Sequence, residues 1–75
     1  VKVFPNPAAN SFTVQAAEPV TLRLFGMDGK LIRERMNVNH MEIGDLSDGI
    51  YLLQVHDAQG RVLLRERMTK SVIHR

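Results

Sequence analysis

Three kinds of side chain in this 75-residue chain could do chemistry. His40, His56 and His74 could hold a metal or move a proton. Ser11, Ser47 and Ser71 could act as nucleophiles beside a base. The stretch "GDLSDG" places Asp45 and Asp48 in a short loop, a faint echo of a calcium site. None of them meets the spacing its chemistry needs. Catalysis requires a nucleophile or paired acids next to a base in a pocket that excludes water, and no serine here sits in a nucleophile elbow. The histidines are widely separated, and the acidic loop lacks the ligand series and closing glutamate of an EF-hand. The chain also has no cysteine, which removes disulfides and thiolate metal sites. The expectation is therefore no catalytic residue, no metal ligand and no cofactor. The histidines read as surface or strand-end residues, and the loop reads as an acidic turn.

Arginine supplies the other conspicuous feature. "RERM" occurs twice, at Arg33–Met36 and Arg65–Met68. A basic helix gripping nucleic acid is one reading, but ten basic and eight acidic residues leave a net charge of only +2, a weak global field. No platform of aromatics interleaves with the arginines, and Tyr51 lies in the most apolar stretch, where base stacking is not expected. Nucleic acid is excluded as a partner on these grounds. No apolar run approaches the roughly 18 residues needed to cross a bilayer as a helix. The chain opens on Val1 without a leader, and is expected to be a fragment of a longer protein.

The elements that must carry these residues are short strands. Pro5-Asn6-Pro7, Glu18-Pro19, Asp28-Gly29, Asp48-Gly49 and Gln59-Gly60 punctuate the chain. Between them "SFTVQ", "VTLRLF" and "HMEIG" alternate apolar and polar residues at period two, while "IYLLQVH" is nearly continuously apolar, as in a strand covered on both faces. Each arginine stretch follows a glycine turn that follows an apolar strand, the order of a hairpin. A helix of seven residues between Gly29 and Asn37 would be short, and neither stretch has an N-cap residue. Both stretches are therefore expected to be strands. Leu31, Arg33 and Arg35 then share one face of the first, opposite Ile32, Glu34 and Met36. In the second, Leu63, Arg65 and Arg67 oppose Val62 and Leu64. Several such strands between turn signals predict a β-sandwich or barrel, with residues 1–75 as one domain.

The order of the pieces carries more than any one of them. "VFPNPAANSFTV", "LRLFGMDGKLI", "MEIGDLSDGIYLLQV" and "RERMTKSVI" follow one another from Val3 to about Ile73. Together they resemble the C-terminal sorting domain of the type IX (Por) secretion system, found at the ends of exported Gram-negative proteins. The resemblance implies an immunoglobulin-like antiparallel β-sandwich of about seven short strands. It marks Pro5, Asn6 and Pro7 as a stiff corner and Gly29, Gly49 and Tyr51 as fold-maintaining positions. The tail, Lys70 with Val72 and Ile73, matches the family's terminal basic-apolar motif and is expected to be either a plain last strand or an exposed signal that pairs its backbone with a receptor edge. Phe4 departs from the more usual tyrosine before Pro-Asn-Pro, Ser71 interrupts the tail, and His74-Arg75 extends beyond it.

The resemblance also implies a function and a setting. The domain would direct a covalently fused N-terminal cargo from the periplasm across the outer membrane to the cell surface or the medium. Its implied partners are the type IX translocon with its shuttle proteins and a sortase-like cysteine protease. That protease cuts the domain off upstream of Val1 or close to it. Arg33, Arg35, Arg65 and Arg67 form a possible charged recognition face, and an edge strand could support self-association. The alternative is an immunoglobulin-like adhesion or carbohydrate-binding module. A glycan site on a sandwich wants exposed aromatics, and Phe4, Phe12, Phe25 and Tyr51 stand mostly at apparent core positions.

Overall fold

A computed structural model describes residues 1–5 and 9–71. Seven strands form among them: β1 (Lys2–Phe4), β2 (Ser11–Gln15), β3 (Val20–Gly26), β4 (Leu31–Val38), β5 (His40–Glu42), β6 (Gly49–His56) and β7 (Val62–Lys70). No helix forms among the described residues. Period-two alternation sends successive side chains to opposite faces. Phe12 and Val14 of β2, Val20, Leu22 and Leu24 of β3, and Met41 of β5 therefore turn inward. Leu53 and Val55 of β6 and Met68 of β7 do the same, and Ile43 closes the cluster.

The strands make two antiparallel sheets, β1-β2-β5 and β4-β3-β6-β7, packed around that core. The expected all-β, immunoglobulin-like sandwich is the fold observed. Its fourth strand lies beside the third, unlike the constant-type arrangement. The cause is local, because a three-residue hairpin ties β4 to β3. The chain changes sheets at Asn39, whose backbone oxygen accepts from Val14 at 2.7 Å.

Both hairpins are built alike. Gly26 and Lys30 close the first, with Gly29 N–H donating to the Gly26 oxygen at 2.9 Å. Asp57 and Arg61 close the second, with Gly60 N–H donating to the Asp57 oxygen at 3.0 Å. Gly29 (φ 89°) and Gly60 (φ 83°) occupy the left-handed position that such three-residue loops require. Three residues past each of these glycines the register slips by one, leaving Ile32 and Leu63 as bulges.

These bulges change which way the arginines face. Arg33 and Arg35 pair with Leu24 and Leu22, which are buried, so both lie on the inner face of the sheet at its β4 edge. Arg65 and Arg67 pair with Gln54 and Leu52, on the outer face at the β7 edge. The two copies of the tetrapeptide begin four and five residues after their glycines. That one-residue difference reverses every side chain. Leu31, opposite Phe25, consequently faces outward, away from Arg33 and Arg35. Val62, opposite His56, likewise lies on the other face from Leu64.

Candidate functional site

The described residues that the family resemblance marked gather at one end of the sandwich. Gly26 pairs with Tyr51, which sets the hairpin of Gly29 there. Gly49 pairs with Lys70 at the same end. Phe4, the last residue of β1, pairs with Thr13 in the middle of β2, whose first residue, Ser11, pairs with Glu42 at the end of β5. Val1 lies at the opposite end, beside Pro19 and Ala58. Asn6, Pro7, Val72 and Ile73 lie outside the described residues.

The loop from Gly44 to Asp48 closes this end and is fastened to both edges of the four-stranded sheet. Asp45 receives two hydrogen bonds from the Arg33 guanidinium, at 2.9 and 2.6 Å, and Arg33 also donates to the Glu42 oxygen at 2.6 Å. A planar guanidinium suits this two-point grip on a carboxylate. The Arg33 bonds, helped by a backbone N–H, hold the Asp45 carboxyl down to about 2. The same contact raises Arg33 above its ordinary, already high, pKa.

At the other edge, Asp48 accepts from the Lys70 ammonium at 3.2 Å. Between them the Tyr51 hydroxyl donates to the Ser47 oxygen at 2.6 Å. The acidic turn is thus an anchor. Its two carboxylates hold β4 and β7, and a tyrosine pins its middle.

Two expectations need correcting. Lys70 is not an exposed cation: it is 4% exposed, because it falls on the inner face of β7, in step with Met68. Nor do Arg33, Arg35, Arg65 and Arg67 make one face. They occupy opposite edges of the sheet, β4 and β7, and opposite faces, the faces differing because the arginines of one copy stand one residue farther from the turn glycine. Phe4 is also 48% exposed, while Phe12 is fully buried as expected. Phe25 faces outward beside Leu52, half-buried, and Tyr51 packs against the core from its margin.

The described chemistry-bearing residues remain apart, and His74 lies outside the described residues. His40 lies exposed on β5, 3.7 Å from Glu42. His56 is buried at the end of β6, where its ring nitrogens meet the Gly60 oxygen at 3.3 Å and Gln54 Oε1 at 3.0 Å. Among the described residues no three of His, Asp or Glu cluster as a metal site. The surface depression by Thr21, Asn37 and Asp57 and the one by Leu52, Gln54 and Arg65 are lined by no serine or histidine. What the sequence reading missed is the outward apolar surface of β6. Its signal was the unbroken run "IYLL".

Comparison with known proteins gives one positive result. The family model of the secretion system C-terminal sorting domain matches residues 2–72. No curated protein matches the chain, and no solved structure does. The match covers nearly the whole of a two-sheet β body whose described marked residues meet at one end. The chain belongs to the C-terminal sorting domain family of the type IX secretion system.

Proposed function

We propose that this chain is a removable address: a folded signal that carries a fused cargo through the outer membrane by the type IX route. It is then cut away by a sortase-like protease as the cargo is anchored or released. The observation that carries this reading is the family match over residues 2–72. The family is one of sorting signals and not of catalysts, and its members act on behalf of an N-terminal cargo. Placement supports the reading. Val1 lies beside Ala58 and Lys70 lies at the far end opposite Gly49, so the two ends of the described chain stand apart.

Within this reading β7 and the segment after it have separate tasks. Met68 is fully buried and Lys70 nearly so, so β7 up to Lys70 belongs to the fold. Recognition by strand addition to a receptor edge then falls to Ser71–Arg75. Deleting Ser71–Arg75 from a fusion to a periplasmic reporter separates the two tasks. Export is expected to fall at least tenfold while the melting temperature of the domain stays within a few degrees of the parent. Undiminished surface delivery of the truncated fusion would rule the terminal segment out as the signal.

A further inference from the structure

The end of the sandwich at which Val1 lies carries a depression of about 190 Å³. Both sheets contribute to it. Val1 stands just ahead of β1, Pro19 just ahead of β3, Ala58 in the second hairpin and Leu63 at the bulge of β7. Val1 and Leu63 are 58% and 43% exposed, so each keeps a side open to water. Asp57 also lines the depression, but its carboxylate is occupied by its own turn, through Gln59 and Arg61. The surface left to offer is mainly apolar.

The backbone points into this depression. β1 and β2 pair with Lys2 opposite Gln15 and Val3 opposite Val14. Carried one step back, the same register sets Val1 opposite Ala16, and a residue ahead of Val1 falls opposite Ala17. Val3 and Ala16 pack against the core, so Val1 shares their inward face. Alternation at period two then gives that inward direction, toward Ala58 and Leu63, to the second residue ahead of Val1.

We infer that this depression seats the residues immediately ahead of Val1 as a backward extension of β1, with an apolar side chain at the second of them. The inference rests on the sorting reading, in which a cargo polypeptide precedes the domain on the same chain. Size selects the occupant. A folded partner or a second copy needs about 800 Å² a side for a stable contact, far more than this depression presents. A tethered segment needs little intrinsic affinity, because its effective concentration is on the order of millimolar. While the body is folded, the seated residues are withheld from a protease that takes its substrate as a free extended segment. The cut that separates cargo from domain then falls upstream of the seat.

The domain has no cysteine, so paired cysteines can report the seat. The test uses the full precursor with its own residues ahead of Val1. A cysteine at the second of these is combined with A58C in one variant and with Q15C in another. Gln15 is exposed and lies opposite Lys2, outside the depression. The expected result is disulfide closure at least tenfold faster with A58C than with Q15C in the folded protein. In urea the preference should vanish, because the shorter loop to position 15 closes more easily. Equal rates in the folded protein, or faster closure with Q15C, overturn the inference. L63D, at the exposed bulge, should raise amide hydrogen exchange of the two residues ahead of Val1 at least tenfold and their cleavage by a broad-specificity protease at least fivefold. Unchanged exchange in a folded L63D protein would also overturn it. Should L63D unfold the domain, the cysteine pairs decide. If deleting residues 1–75 leaves export intact, the sorting reading fails. If deletion abolishes export but A58C closes no faster than Q15C, the seat alone fails.

Discussion

Asp45 gives both carboxylate oxygens to one guanidinium, and Asp57 accepts from the Gln59 and Arg61 backbone N–H groups and from Arg61 Nε. The folded state lowers both carboxyl pKa values, Asp45 to about 2 and Asp57 below its ordinary value, chiefly through the Arg61 N–H. A group with a depressed folded pKa stabilises fully above its unfolded value, about 3.9, and loses that contribution as pH falls through the folded one. Melting temperatures taken between pH 5 and pH 2 should therefore fall toward acid, and D45N should flatten part of that fall. An unchanged acid profile in D45N would show that the Arg33 contact contributes nothing to folding. Lys70 makes a different prediction, since its stem is buried and only its ammonium reaches the half-exposed Asp48. K70M keeps the stem volume and should cost less than about 1.5 kcal/mol, whereas K70A should cost about 2 kcal/mol, as read by urea unfolding. Equal losses in the two would place the stabilisation in the charge and not in the stem.

At the scale of elements, the two hairpins are one device used twice. Gly29 and Gly60 sit in the left-handed region, where a side chain costs roughly 1–2 kcal/mol. G29A and G60A should each lower the melting temperature by about 4–8 °C per kcal/mol lost. The hairpins lie at opposite ends of the sandwich, so the double variant should lose close to the sum. A much smaller loss in either would mean that the turn relaxes out of the left-handed conformation. The strands themselves were legible: "SFTVQ" and "VTLRLF" alternate cleanly, and the glycine turns lie where the hairpins close. The faces of the arginine strands were not. Nothing in "KLIRERM" or "RVLLRERM" announces that Ile32 and Leu63 bulge, and one bulge is enough to reverse all that follows. The anchoring loop was half legible. Asp45 and Asp48 stood out as acids, but their partners Arg33 and Lys70 are 12 and 22 residues away, a distance only the closed sandwich spans.

The whole molecule is a small body in which, among the described residues, ten apolar side chains are fully or nearly buried, with no covalent staple. A core of this size supplies only about 3–5 kcal/mol. L53A, at the centre of β6 with no exposure, should cost about 2–5 kcal/mol. It should leave the domain largely unfolded at 37 °C by circular dichroism; a cooperative melt near the parent would show that the core collapses around the gap. The central claim is that this body is itself sufficient as an address. Its most direct measurement is the surface yield of an unrelated periplasmic reporter carrying residues 1–75 at its C-terminus, in a host with the type IX system. The account predicts delivery of the reporter to the cell surface or medium, lost when the host lacks a functional translocon. Retention of the folded fusion in the periplasm of the competent host would contradict it.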